Sequence, residues 1–346
     1  MVKKPLKIYN YGEEMQIKIY KDTKIYIMAP SHTVTGGPEL LHQLYYYLKN
    51  KKGANVYMYY YPTNTINPIP SVYKIYVNSF VNHIEDNSKN ILISPEIYDA
   101  VSLLKNYKNI RKIIWWLSVD NFYTSRFSIK IRNFRLSYSK LLKNVDIKKD
   151  KYLTDIYLHL VQSEYAKQHL IKNGFSNIAY LSDYLNKSFL KQKFNINDKR
   201  NIISYNPSKG FKFTRRIIED KSAKGLTFIP IKNMKREEVI SLLKKTKVYI
   251  DFGNHPGKDR IPREAAILGC CVITNRKGSA NYQKDIPIYQ RYKVSENTDI
   301  PEIVNIIKDC LKNYKLRYKN FDNYRKVIKK EYKKFIKDAD KIFICV

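Results

Sequence analysis

The feature that most restricts what this chain can fold into is a repeated alternation of two hydrophobic periods. From residue 24 onward, short runs of β-branched, aliphatic and aromatic residues take turns with stretches of helical period. Residues 24–29 read as a buried strand. Residues 38–49 then place Leu40, Leu41, Leu44, Tyr45 and Leu48 on one helical face. Residues 56–60, 91–93, 112–117 and 157–161 read as further strands. Each of the last three leads into a polar turn and a helix, opening at Pro95-Glu96, at Ser118 to Asn121 and at Ser163-Glu164. Strand followed by helix, repeated, requires a parallel sheet covered on both faces.

A polar, Lys- and Asn-rich stretch at 186–201 interrupts the pattern and reads as a hinge. A second series follows, with strands at 202–205, 226–229, 247–252 and 271–274 and helices at 235–245 and 263–268. The expected fold class is α/β, with two tandem Rossmann-like doubly wound domains. Such a pair leaves a cleft between its members, and ligands sit at the carboxyl ends of the strands. The expected boundaries are 1–187, 188–318 and a helical tail at 319–346 that packs back on the first domain. In that tail Tyr314, Tyr318, Phe321, Tyr324, Ile328, Tyr332 and Phe335 recur every three or four residues.

Charge narrows the partners. The 346 residues hold 64 Lys and Arg against 31 Asp and Glu, a net charge of +33, which points toward anionic partners such as nucleotide phosphates, nucleic acid or acidic lipid. Two stretches concentrate it: 312–341, with twelve basic residues against four acidic, and 105–151, with thirteen against three. Each is either a solvated face or a site of attachment to an anionic membrane surface. The basic N-terminus lacks the apolar core of a signal peptide, and the longest uncharged stretch, 53–73, is broken by three prolines. The adjacent Cys270 and Cys271, with Cys310 and Cys345, suit neither a disulfide framework nor zinc spacing. A cytoplasmic, reduced protein is expected, peripheral on the cytoplasmic face of a membrane where the basic faces dock.

Three segments carry candidate chemistry. The turn after the first strand, Ser31 to Glu39, holds Gly36 and Gly37 just before a helix, where backbone and helix N–H groups can approach an anion. It is also compatible with a plain tight turn. Lys209-Gly210 follows the first strand of the second series, where a lysine can reach a phosphate. The densest segment runs from Asp251 to Thr274. Its strand-end loop carries His255, Lys258, Asp259, Arg260 and Arg263, and Glu264 is read as opening the next helix, where the dipole favours a carboxylate.

The run Glu264-Ala-Ala-Ile-Leu-Gly-Cys-Cys-Val-Ile resembles the Glu-Ala-Met-Ala-x-Gly-x-Pro-Val-Ile segment of the GT-B glycosyltransferases of family four, the group 1 glycosyltransferases. Thr35-Gly36-Gly37, the segment Gln162 to Ala166 and Lys209-Gly210 fall in the order this resemblance requires, which spans about 24–310. It implies a hexosyltransferase-type enzyme with 1–187 as acceptor domain and 188–318 as nucleoside diphosphate sugar donor domain, which retains configuration and needs neither metal nor cofactor. It further implies that Glu264 holds ribose hydroxyls, that Lys209 faces the diphosphate and that Gly36 and Gly37 lie against phosphate or sugar. Two positions depart from the pattern: Pro256 stands where a second Glu is usual, and Ser204 where an Arg is usual. Arg260, Arg263, Lys212 and Arg215 are candidates for the lost cation, Asp259 for the lost carboxylate.

The resulting expectation is sugar transfer from a nucleotide sugar to a glycan or lipid-linked acceptor, as in polysaccharide synthesis. The departing diphosphate would be stabilised by cations and N–H groups. Asp120 and His255 are the candidate proton relays. Two rivals remain: a nucleic-acid-binding protein, disfavoured by the absence of a recognition module, and a catalytically degenerate fold used as a binding subunit, favoured by Pro256 and Ser204.

Overall fold

Strands buried on both faces leave little room for polar residues, and this decides where the chain pairs. The computed structural model describes residues 15–128, 147–150 and 152–346. The described chain divides into two compact units, one of 1–162, 166–182 and 335–346, the other of 163–165 and 183–334. The boundary expected at 187/188 thus falls at 182/183, directly after the last strand of the first sheet, and the expected tail divides at 334/335.

The first unit holds a six-stranded sheet ordered β3-β2-β4-β5-β6-β7. Its members are β2 (Lys24–Pro30), β3 (Asn55–Tyr61), β4 (Ile91–Pro95), β5 (Arg111–Trp116), β6 (Leu158–Val161) and β7 (Ile178–Tyr180), all parallel. Helices α1 (Gly36–Asn50), α2 (Tyr98–Val101), α3 (Val119–Ser128) and α4 (Glu164–Lys172) follow the strands. The central strands read as continuous apolar runs because both faces are covered; Ile91, Leu92, Ile93, Ile113, Ile114, Trp115 and Trp116 are fully buried. A separate two-stranded sheet pairs β1 (Ile17–Ile19) with β12 (Phe343–Cys345) in parallel.

The second unit carries four parallel strands ordered β11-β10-β8-β9: β8 (Arg200–Tyr205), β9 (Thr227–Pro230), β10 (Thr246–Asp251) and β11 (Cys271–Thr274). Its helices include α5 (Lys187–Leu190), α6 (Phe211–Ile218), α7 (Arg236–Lys245), α8 (Arg260–Ile267), α9 (Ile300–Lys312) and α10 (Tyr314–Lys319). The last helix, α11 (Asp322–Ile342), begins in the second unit and ends in the first. Phe321, Tyr324, Ile328, Phe335, Ala339 and Ile342 form its buried stripe. Its lysines 326, 329, 330, 333, 334, 337 and 341 are all exposed. Of the second basic stretch, 105–151, residues 129–146 and 151 lie outside the described residues. Among the described residues no helix is long and apolar enough to cross a membrane.

Both sheets have a topological switch point, where the first strand sends its crossovers to opposite sides. It lies between β2 and β4 in the first unit and between β8 and β10 in the second. In open α/β sheets such a point is where ligands sit, at the carboxyl ends of the strands.

Candidate functional site

In the second unit the loops after β8 and β10 meet backbone to backbone. Gly210 has φ +62°, and a Cβ there would collide with the carbonyl of Phe252 and the nitrogen of Gly253. A Cβ on Gly253 would in turn strike the Lys209 side chain. Only glycine fits at either position. The contact fixes Lys209 over the loop of residues 252–259 at the switch point.

A chain of charges continues from Lys209. Its Nζ lies 2.9 Å from Asp259 Oδ1. Asp259 Oδ2 is 3.1 Å from His255 Nδ1, without hydrogen-bond alignment, and His255 Nε2 is 3.8 Å from Asp251 Oδ1. Asp251 also accepts from the Tyr249 hydroxyl at 2.9 Å and from the Gly253 N–H at 3.1 Å. Burial works against charge on His255, yet Asp259 and Asp251 outweigh it and hold the imidazole above its ordinary pKa. Burial would also raise Asp259, but His255 and Lys209 bring it below the usual carboxylate range. Asp251 is raised, first by burial. The ligand-type atoms of Asp251, His255 and Asp259 lie within 4.8 Å of one another, close enough to share one cation. The two carboxylates face His255, whose imidazole is held above its ordinary pKa, and Asp259 also faces Lys209.

Beneath this loop lies a second set of charges. Arg263 is bound to Asp183 at 2.5 Å and to Glu331 at 3.0 Å, and Lys258 approaches the same two carboxylates at 3.2 and 3.1 Å. Arg263 also donates to the carbonyls of Lys258 and Asp259. Asp183 is held below its ordinary pKa by Arg263 and Lys258 against the effect of burial. Arg263, expected as a diphosphate ligand, is instead 1% exposed, with its donors directed at protein groups. It ties the loop to the segment after β7 and to α11.

Helix α8 starts at Arg260, with Asp259 at its N-cap, three residues earlier than expected. Glu264 therefore lies in the second turn rather than at the helix start, and the dipole role assigned to it falls away. It is buried, with Arg260 Nε 3.6 Å from its Oε1. Lys209 and Arg260 are the more exposed cations of this edge, with side chains 37% and 36% accessible. His255 is fully buried between carboxylates, which suits positioning of Asp259 and Lys209 better than proton exchange with a substrate.

The remaining sequence candidates belong to the first unit. Gly36 and Gly37 are the first two residues of α1, whose N-cap Thr35 makes no side-chain cap. Asp120 lies in the first turn of α3, partly buried, its carbonyl accepting from Thr124. Sequence reasoning passed over Glu96 at the end of β4 except as part of a polar turn. Its carboxylate is 2% exposed and accepts from the Leu117 N–H at 3.0 Å. Burial pushes it up to about 7, against the backbone N–H groups of Leu117, itself and Ser118.

Solved structures share this architecture. Sucrose-phosphate synthase from Thermosynechococcus elongatus superposes with TM-score 0.62 over 90% of this chain and 95% of its own, at 11% identity. The fold is the GT-B fold. An E. coli trehalose-6-phosphate protein bound with UDP-2-fluoro glucose matches with TM-score 0.56 over 92% of this chain and 99% of its own, at 10% identity. A variant of S. aureus TarM in complex with fondaparinux, alpha-GlcNAc-glycerol and UDP matches with TM-score 0.50 over 75% of this chain at 15% identity. The chain spans about half the length of TarM, 55% in that comparison. No family model and no curated protein matches the sequence.

Proposed function

We propose that the chain is a glycosyltransferase of hexosyltransferase type that moves a sugar from a nucleoside diphosphate sugar to a glycan or lipid-linked acceptor, with retention and without a metal. The observation that carries this reading is the cationic edge at the second switch point. There, glycine-on-glycine packing holds Lys209 at the end of β8, on the same sheet edge as the accessible Arg260. A leaving diphosphate gathers negative charge, and fixed cations there stabilise it more than they stabilise the intact donor. Nucleotide-sugar and nucleotide ligands in two of the structural neighbours support the choice of donor class. Glu264 is retained as the ribose-binding carboxylate on the strength of the sequence resemblance. The exposed lysines of α11 support docking on an anionic membrane surface.

Calorimetric titration of the full chain with UDP, GDP, ADP, CDP and dTDP tests the donor site. One diphosphate is expected to bind with micromolar affinity, and its parent nucleotide sugar to be consumed in the presence of an acceptor pool. Binding of none of them, with the fold intact, would remove the donor assignment and favour the degenerate-fold reading.

A further inference from the structure

The second sheet has an opposite edge, formed by the amino ends of its strands, and cations gather there as well. A groove of about 740 Å³ opens where the chain enters β8, between residues 193–200 and the last turns of α7. Lys193, Lys199, Arg200, Lys244 and Lys245 line it against a single carboxylate, Asp198. β8 runs from Arg200 to Tyr205, so this groove and Lys209 lie at opposite ends of one strand, roughly 17 Å of extended chain apart.

The described protein does not neutralise these cations. The side chains of Lys193, Arg200 and Lys245 are exposed and, among the described residues, form no ion pair or hydrogen bond. Asp198 pairs with none of them. Lys244 is oriented by a neutral group, Gln192 Oε1, 2.8 Å from its Nζ. Lys199 lies beneath, 7% exposed. Its Nζ donates to the carbonyls of Leu243, Thr246 and Leu268 at 2.9, 2.7 and 2.6 Å, closing the ends of α7 and α8. Its hydrogen bonds are satisfied, but among the described residues no carboxylate pairs with its charge. Lys244 and Lys245 suit the dipole at the last turn of α7. Lys193 and Arg200 come from another segment and gain nothing from that helix. One wall of the groove is an aromatic ring. Phe194 packs edge-on against Tyr318, with centroids 6.1 Å apart, and Lys199 Nζ lies 5.1 Å from the centre of its ring. Gly269, at φ +90°, leaves the space it occupies, since a Cβ there would strike the ring.

A buried charge without a counter-charge is costly, and like charges gathered in one groove repel each other. An anion seated there offsets both. Lysine reaches a phosphate as a point charge, and arginine grips it through its planar fork. The volume is that of a site for a small organic molecule, and the Phe194 ring offers apolar contact to whatever part of the ligand carries the phosphate. We propose that the amino-end groove of the second unit binds a small organic phosphate ester, its phosphate between Lys193, Arg200 and Lys245 and its organic part against Phe194. Inorganic phosphate shares the first contact and lacks the second. The site is independent of the proposed transferase function, whose cations stand at the other end of β8.

Calorimetric titration of the full chain at physiological ionic strength tests the site. The probes are phenyl phosphate, glucose 6-phosphate and inorganic phosphate. At least one ester is expected to bind about tenfold more tightly than inorganic phosphate. Arg200→Ser and Lys245→Ser should each weaken that ester about fivefold, and the double variant should abolish its binding. Both side chains are exposed and unpaired, so their removal keeps the fold and the test informative. Phe194→Leu should bring the ester's affinity down toward that of inorganic phosphate. Lys209→Ala, at the other end of β8, should leave ester binding unchanged within twofold. Binding of neither ester, equal affinity for inorganic phosphate and both esters, or wild-type ester binding by the double variant overturns the site. Loss of ester binding in Lys209→Ala also overturns it, because the ester would then sit at the carboxyl ends of the strands. Ester binding by a chain that binds no nucleoside diphosphate leaves this site standing and removes the transferase reading; nucleoside diphosphate binding without ester binding does the reverse.

Discussion

The carboxyl edges of the two sheets are built on the same plan and carry opposite chemistry. Each has a switch point beside its first strand, and each places glycines where backbone must come close. The second unit surrounds its switch point with Lys209, His255, Lys258, Arg260 and Arg263, whereas the stretches 25–48, 53–73, 90–104, 113–125 and 152–166, which hold the carboxyl ends of β2 to β6, contain no lysine or arginine. The carboxylates register the difference. Asp183 and Asp259 are held below their ordinary range by neighbouring cations, whereas burial pushes Glu96 up to about 7 and also raises Asp251 in the second unit. The fold supplies two equivalent strand-end edges, and the loops decide how each is charged.

The largest expected effect lies under the cationic edge. Removing one member of a buried ion cluster leaves the others desolvated and unpaired, at a cost of about 3–5 kcal/mol. Arg263→Ala should therefore lower unfolding free energy by about that much, read by chemical denaturation, as Asp183 and Glu331 lose one of the two cations they share and keep only Lys258. If the variant is instead as stable as wild type and loses nucleotide affinity, Arg263 belongs to the ligand rather than to the scaffold.

Next in size is a pH effect in the first unit. Glu96 rises from 4.5 to about 7 on folding, so the folded chain keeps a proton that the unfolded chain releases. The associated stability is fully present below about pH 4.5 and lost as pH rises to about 7, amounting to about 3 kcal/mol. Asp285, pushed up to about 6 by burial, acts with the same sign. His42 and His169, both lowered to about 4 by burial, and His159, lowered to about 3, act with the opposite sign and lose stability as pH falls. Subtracting the stability–pH curve of Glu96→Gln from that of wild type isolates the one group. The difference should slope between pH 4.5 and 7 and be flat outside that window. A flat difference throughout would mean that folding leaves the Glu96 pKa unshifted, and a slope of opposite sign that Glu96 is stabilised as a carboxylate like Asp183.

The sequence made the larger part of the fold legible, for a physical reason. Parallel strands covered on both faces are near-continuous apolar runs, so β2, β4, β5, β8, β10 and β11 stand out without reference to any distant residue. What stayed hidden depends on distant partners. β1 and β12 are three residues each, and they pair with each other from opposite ends of the chain. β7 is a three-residue, half-buried edge strand. Lys209, Arg260 and Glu264 could be picked out as loop and helix residues of a strand-end segment. That Arg263 turns away could not, because Asp183 and Glu331 are 80 and 68 positions distant. Glu96 had a readable signal that was not used, the run without lysine or arginine around it.

A smaller effect is expected at Lys209. Its side chain is accessible, and its removal leaves no buried charge without a partner except Asp259, which keeps His255. Lys209→Ala should cost little stability and weaken nucleoside diphosphate binding ten- to a hundredfold, the loss of one charge-assisted bond of about 1.5–3 kcal/mol. Calorimetric titration of the variant checks this.

The smallest expected effect is none, and it bears on the one arrangement that could make the second edge something other than a cation-lined anion site. Asp251, His255 and Asp259 could share a divalent cation, and a metal would supply positive charge to a diphosphate in place of lysine and arginine. Charge counting favours the metal-free state. With His255 held above its ordinary pKa and Lys209 2.9 Å from Asp259, two positive groups already face the two carboxylates. A divalent ion entering this group would have to displace the imidazole proton and push Lys209 away. Nucleoside diphosphate affinity should therefore be the same within twofold in excess EDTA as in millimolar Mg²⁺ or Mn²⁺, after allowance for metal binding by the nucleotide itself. Lys209→Ala sharpens the test, because removing that ammonium should make metal binding easier and any metal dependence larger. If wild-type affinity collapses in EDTA and returns with Mn²⁺, and Asp259→Asn abolishes the return, the loop is a metal centre. Lys209 would then be its second-rank neighbour rather than the principal partner of the diphosphate.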